Sequence, residues 1–362
     1  MRYLVNAAGI PNYGDEFIAL AWLRYLQHHR PHDEVVLDCL DPGRADKLIR
    51  TRIGELPVRF ADAMWALTRD VPEGERAYPV LRERVRPLAR ELFAEERPEA
   101  IHLLGGGYLN AMWPQNAALV AAAAEAGRAH GIPVYGTGLG LMPADASPEF
   151  REDLRSFRYV ESRDAAGARE LGIRKGLDDA FLGVRALVPW EDAPRIVVEL
   201  QGDMIDDAAR EIYRARIDEL LAREGAATGA GVAFLEAFPP HDAALWPELC
   251  EAYPEARFID FWELWERGQS GAPGQIWLTT RFHAHLLAAA TGAAGIAIDI
   301  RGDYYGVKHR SLTALGTGWP VVRLDDPAPL PPARTSPLFR RTSQLRAVRK
   351  RLLAGRLHPP AR

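Results

Sequence analysis

Short apolar runs alternate with helix-like segments twice along the 362-residue chain, and no other feature limits its fold as strongly. In the first half the strand-like runs cover residues 3–7, 35–39, 101–104, 134–136 and 159–161, with helical patterns such as 15–28 and 116–130 between them. A proline-bearing bridge follows, Leu187-Val188-Pro189-Trp190-Glu191-Asp192-Ala193-Pro194. The second half repeats the pattern, with strand-like runs at 196–200, 232–235, 258–261, 276–278, 296–298 and 321–324 and helical patterns such as 206–223 and 281–290. Repeated strand–helix units build parallel sheets with helices on both faces, so the expectation is two doubly wound α/β domains facing a cleft. The expected boundaries are 1–186, a linker at 187–194, 195–330, and a basic C-terminal tail or helix at 331–362. Ligands of such sheets bind outside the carboxyl ends of the strands.

Composition narrows the function classes. With 48% hydrophobic and 26% charged residues the chain is an ordinary globular one. A net charge of −4 argues against a general nucleic-acid binder. No apolar run is long enough to span a bilayer, and the first residues enter a strand-like run without a leader layout, so a cytoplasmic protein is expected. Cys39 and Cys250 lack metal-ligand spacing and read as buried reduced thiols. Eight basic residues and no acidic one lie between 339 and 362: Arg340, Arg341, Arg346, Arg349, Lys350, Arg351, Arg356 and Arg362. Leu345, Val348 and Leu352 share one face of a helix there. Such a helix is expected to dock on an acidic protein face, with peripheral contact to an anionic membrane as the second reading.

Every candidate functional motif falls at a strand end. Arg281-Phe282-His283-Ala284-His285 joins an apolar run to a helical pattern, which sets a fork donor and a proton carrier at a helix start. His283 and His285 would point roughly 200° apart on a helix, so a shared metal is not expected. Gly9-Ile10-Pro11-Asn12-Tyr13-Gly14-Asp15-Glu16 opens the first helix, with Asn12 or Asp15 able to cap it and Gly14 allowing close backbone approach. Gly105, Gly106 and Gly107 form a nest of N–H groups suited to phosphate or carboxylate. Gly136-Thr137-Gly138-Leu139-Gly140 is a second glycine-rich exit. Arg163 follows another short strand, with Asp164 placed to cap the next helix. Neither a dinucleotide fingerprint nor a P-loop occurs.

In order and spacing these motifs, together with Gly172-Ile173, Asp178-Asp179 and Lys308, resemble the polysaccharide pyruvyl transferase family over about residues 3–315. The resemblance implies two Rossmann-like domains of the GT-B type. It implies transfer of the carboxyvinyl group of phosphoenolpyruvate onto two hydroxyls of a sugar, giving a pyruvate ketal and phosphate, with no cofactor. Under it Arg163 grips phosphoenolpyruvate and His283 is the catalytic histidine, with Arg281 as its anion-binding neighbour. Asn12 and Asp15 stand near the acceptor or the cleft wall, and Lys308 matches a basic position after the last motif. The stretch Ile300-Arg301-Gly302-Asp303-Tyr304-Tyr305-Gly306 departs from the family's approach to that lysine. The implied partners are phosphoenolpyruvate and a saccharide acceptor, which a lipid-linked form would suit given the basic tail. The rival expectation is a GT-B glycosyltransferase using a nucleotide sugar.

Overall fold

The structure is a computed structural model that describes residues 1–203, 205–269, 271–300 and 305–359. Two compact units divide the chain: residues 1–10, 15–183 and 346–362 form the first, and residues 11–14 and 184–345 the second. The division assigns residues 346–362 to the first unit, where the sequence suggests a separate tail.

Seven parallel strands make the sheet of the first unit: β1 (Arg2–Val5), β2 (Val35–Asp38), β3 (Val58–Ala61), β4 (Ile101–Leu103), β5 (Val134–Leu139), β6 (Tyr159–Ser162) and β7 (Arg174–Lys175). Their order is β3-β2-β1-β4-β5-β6-β7. The second unit holds β8 (Ile196–Glu199), β9 (Val232–Leu235), β10 (Arg257–Ile259), β11 (Ile276–Thr279), β12 (Ala294–Asp299) and β13 (Val321–Arg323), in the order β10-β9-β8-β11-β12-β13. Both sheets are flanked by helices, and each reverses its winding once, at β1/β4 and at β8/β11. Two Rossmann-like, doubly wound units of the GT-B type are thus present.

The central strands are buried along their whole length, as a parallel sheet covered on both faces requires. Separate apolar cores serve the two units, one around Val5, Leu81, Leu103 and Val120, the other around Ile196, Ile217, Leu278 and Ile296. Helix Ala118–His130 is nearly all alanine in its first turns and is buried all round there, because small side chains let neighbours approach from every side. Local rules set several helix starts. Asp164 caps Ala165–Leu171 by accepting from the Gly167 N–H at 2.7 Å, and Asp260 caps Phe261–Arg267 by accepting from Glu263 at 2.8 Å.

Four sequence expectations need correction. Strands β3 and β7 are not among the expected runs: β3 is a four-residue run interrupted by the exposed Arg59, with Phe60 and Ala61 half-buried, and β7 is two exposed basic residues at the sheet edge. Asp15 is not a cap but sits in the first turn of helix Tyr13–His29, where its charge complements the helix dipole. Cys250 is exposed on helix Trp246–Ala252, whereas Cys39 is buried. The C-terminal helix Pro337–Leu357 turns the expected stripe outward, with Leu345 and Leu352 more than 60% exposed. It buries Phe339, Ser343, Ala347, Lys350, Ala354 and Leu357 instead, a face of small residues and one ion-paired lysine. Docking of residues 346–357 within the first unit replaces the expected membrane contact. Among the described residues no helix is long and apolar enough to cross a membrane.

Candidate functional site

In the first unit the winding reversal lies between β1 and β4, and the glycine loop leaves β4 there. Gly106 has φ +150°, and a Cβ on it would meet the Tyr108 ring at 2.6 Å and Asp15 Oδ1 at 3.0 Å. Only glycine fits, so Asp15 lies against the loop backbone. The Gly106 carbonyl accepts from Gly140 N at 2.9 Å, and the Leu139 carbonyl accepts from Arg163 N at 3.0 Å. The ends of β4, β5 and β6 therefore form one edge carrying Asp15, Gly105, Gly106, Gly107 and Arg163.

Charge on this edge is balanced. Arg163 is 5% exposed, and its Nη1 donates to Asp178 Oδ2 at 2.9 Å, while Asp178 Oδ1 takes the Ala180 N–H at 2.8 Å. The guanidinium that sequence reading offers to an anion thus has a buried carboxylate partner. Glu16, fully buried, accepts from Gly9 N at 2.6 Å. Burial pushes its carboxyl up to about 8, against the Gly9 bond and with help from the neighbouring Asp15 charge, so it holds its proton at neutral pH.

In the second unit the reversal lies between β8 and β11. Helix Phe282–Thr291 starts directly after β11, and Arg281 stands at its N-cap position. Asp242 organises the surroundings: its carboxylate accepts from the backbone N–H groups of Gly202 (3.1 Å), Ala237 (3.1 Å) and Phe238 (2.9 Å). The same carboxylate receives Arg281 Nε at 3.2 Å and Nη2, and Nη2 also reaches Asp203 Oδ1 at 3.1 Å. Glu199, at the end of β8, is pushed well above the usual carboxylate range by burial and then by the Asp242 charge, and it accepts from Gln269 Nε2.

His283 is half-buried on the first turn of that helix. A Cβ on Gly14 would fall 1.9 Å from its Nδ1, so the imidazole lies on the bare backbone of residues 11–14, which belong to this unit. That segment is pinned by Tyr13, whose N–H donates to Ala237 O at 3.0 Å and whose hydroxyl accepts from Gln269 N at 2.6 Å. Asn12 is half-buried in the same segment. The structure brings together His283, Gly14 and Arg281, residues far apart in sequence. His285 turns into the core instead and meets His309, Nδ1 to Nδ1 at 3.1 Å. Lys308 is half-buried on helix Tyr305–Ala314, and residues 301–304 of the stretch preceding it lie outside the described residues.

Sequence reasoning missed Asp242, Asp203 and Glu199. Glu199 ends strand β8, and Asp203 and Asp242 follow β8 and β9, so a position at the close of an apolar run was the signal available. Asp178 and Asp179 were noticed only as part of a motif, and nothing local marks their partners.

No family model matches the chain, and no curated protein matches it by sequence. Solved structures do resemble it in fold. UDP-GlcNAc 2-epimerase from Neisseria meningitidis bound to UDP-GlcNAc shares 10% identity at a TM-score of 0.53, covering 100% of this chain and 95% of that one. UDP-GlcNAc 2-epimerase from Methanocaldococcus jannaschii shares 12% at 0.51, covering 98% and 99%. MurG from Acinetobacter baumannii shares 13% at 0.50, covering 99% and 95%.

These likenesses correct the expected activity. The similar structures are UDP-GlcNAc 2-epimerases and MurG rather than pyruvyl transferases, so the expected family resemblance, with its phosphoenolpyruvate donor and ketal-forming transfer, is set aside. The electrostatics give a physical reason. A small dianion was to be held by Arg163 and Arg281, yet each guanidinium already has carboxylate partners.

Proposed function

We propose that the chain is an enzyme acting on a nucleotide sugar, an epimerase or glycosyltransferase of the GT-B type. The observation that carries this reading is the laying of His283 on the Gly14 backbone at the start of a helix, on the edge where β8 and β11 part. Helix starts favour phosphate oxygens through their unsatisfied N–H groups and dipole. Beside this start stand an imidazole, able to give or take a proton, and an arginine held in one geometry by Asp242 and Asp203. Epimerisation requires a proton to leave and return at a sugar carbon, and glycosyl transfer requires one to leave an acceptor hydroxyl. His283 is the proposed proton carrier in either case. The N–H groups at the helix start are proposed to take the diphosphate, with Arg281, held in place by Asp203 and Asp242, and Asn12 and Gly14 forming the wall beside it and Lys308 as an added cation.

In the first unit, Gly105, Gly106 and Gly107 with Asp15 and Arg163 are proposed to serve the sugar or acceptor. Backbone N–H groups and a carboxylate suit hydroxyls, and a neutralised arginine tolerates an uncharged ring.

Thermal-shift titration with UDP and UDP-GlcNAc tests the reading. UDP-GlcNAc is expected to stabilise the full chain by about 2.7 kcal/mol at a hundredfold excess over Kd. Gly14→Ala, which drives a methyl into His283, is expected to remove most of that shift. Absence of any shift with UDP, GDP, dTDP and their sugars overturns the proposal. Product analysis then separates an inverted nucleotide sugar from a transferred one.

A further inference from the structure

One buried chain of polar groups in the first unit has its direction set by donor and acceptor chemistry alone. It begins at Arg2, 3% exposed, which Asp33 (2.8 Å) and Glu99 (2.9 Å) hold in place. Arg2 Nη1 stands 3.0 Å from His358 Nδ1. A guanidinium only donates, so this Nδ1 accepts, and neutral His358 carries its hydrogen on Nε2. That nitrogen is 3.0 Å from His102 Nδ1, which must then accept, so His102 also carries its hydrogen on Nε2. His102 Nε2 donates to Thr137 Oγ1 at 2.8 Å, and the hydroxyl donates on to Asp179 Oδ2 at 2.8 Å. His358, His102, Thr137 and Asp179 are all fully buried. Every step runs one way, from a cation at one end to a carboxylate at the other.

Asp179 is also where the candidate site is tied down. Its Oδ2 accepts from Gly105 N and from Trp22 Nε1, each at 2.8 Å. Its Oδ1 lies 2.6 Å from Lys350 Nζ, which also donates to Glu161 Oε1 (2.5 Å) and Leu177 O (2.7 Å), so three acceptors surround the buried ammonium. Lys350 and His358 both come from the C-terminal segment, and Gly105 opens the glycine loop.

We propose that residues 346–359 are a positioning element for the glycine loop, acting through Asp179: Lys350 holds this carboxylate from one side and the chain Arg2–His358–His102–Thr137 from the other. Burial keeps both imidazoles neutral, His102 lowered to about 3 and His358 well below its ordinary value, as one-way donation demands. None of these groups touches substrate; they are positioning residues. The proposal rests on the nucleotide-sugar reading only in taking residues 105–107 as part of the substrate site.

Two measurements on the full-length chain test it. Nitrogen-15 NMR of the histidine rings is expected to show His102 and His358 as neutral Nε2–H tautomers that do not titrate between pH 8 and about pH 5. An Nδ1–H tautomer at either ring, or titration near the ordinary histidine value, overturns the chain. Amide hydrogen exchange then tests its consequence. Thr137→Val cuts the chain at nearly constant volume and is expected to speed exchange at Gly105 about tenfold, while Thr137→Ser, which keeps the hydroxyl, restores the native rate. His358→Leu, near the end of the helix, is the second cut and is expected to act in the same direction. Native exchange at Gly105 in both cut variants overturns the positioning role. A loop that loosens on cutting, in a protein that binds neither UDP nor UDP-GlcNAc, sinks the functional reading and leaves the positioning role standing.

Discussion

The first unit places Arg163 after β6 and gives it Asp178, a carboxylate that also takes one backbone N–H. The second places Arg281 after β11 and gives it Asp242, a carboxylate that also takes three backbone N–H groups, with Asp203 added. The histidine pairs differ in a parallel way. His102 and His358 stand between a cation and a carboxylate, so outside charges set their direction. The second unit pairs His285 with His309, Nδ1 to Nδ1 at 3.1 Å. His309 Nε2 donates to the Thr280 carbonyl at 3.1 Å, His285 Nε2 lies 2.9 Å from the Thr317 hydroxyl, and the His285 ring stacks on Trp319 at 4.6 Å. Two sheets of the same winding therefore carry different polar interiors. Strand order decides where a strand end is; buried donors and acceptors decide what that end can hold.

The sharpest way to break this comparison is to remove the two carboxylates. Asp242→Ala takes the acceptor from three backbone N–H groups at once and leaves Arg281 with Asp203, and should cost about 3–5 kcal/mol, the range for breaking a buried ion pair. Asp178→Ala, which takes a carboxylate from the buried Arg163 and an acceptor from the Ala180 N–H, should cost about 3 kcal/mol, the lower end of the same range. Urea unfolding midpoints of the two variants measure the difference, and equal losses would show that the arginines are held alike.

Acid is the next lever. His102 is lowered to about 3 and His285 well below the ordinary value, both by burial first, with a neighbouring charge adding to it. In the unfolded chain each titrates near 6.5, so the unfolded state binds more protons below that pH. The stability these rings contribute is whole above about pH 6.5 and is lost as pH falls below it, for His102 down to about pH 3 at about 1.4 kcal/mol per pH unit, with His285 acting in the same direction. Hydrogen exchange at pH 7 and pH 5 measures this unit by unit. Acid sensitivity confined to one unit would mean that only one pair is kept neutral.

The smallest effect serves as a control. Asp164→Ala and Asp260→Ala remove equivalent helix caps, one in each unit, and should each cost about 1 kcal/mol. A large disparity in their melting temperatures would mean that more than the caps separates the units.

The C-terminal helix shows where sequence reading stops. Its apolar residues at 345, 348 and 352 promise a buried stripe, and the structure exposes them. The buried face runs through Ser343, Ala347, Lys350 and Ala354, which hydropathy ranks low. Small side chains allow close approach, and the lysine is buried because Glu161 and the Leu177 carbonyl accept from it and the Asp179 carboxylate lies 2.6 Å away as an ion partner. The same gap explains why Arg163 and Arg281 read as open anion grips: a carboxylate partner 15 or 39 residues away leaves no local mark. His283 and Gly14 were each legible as site candidates, but their contact was not, since it depends on how residues 11–14 fold into the second unit.

By itself the sequence determined the alternation of strand and helix, the two doubly wound sheets it implies, and the helix cap at Asp164. These follow from periodicity and from bonds between near neighbours, which any stretch of chain carries with it. Only the tertiary structure decided which charges are neutralised, which imidazoles stay uncharged, and that Arg2 would meet His358 across 356 residues. The cost of burying a polar group depends on the partner that arrives from elsewhere in the fold, and no local pattern encodes that arrival.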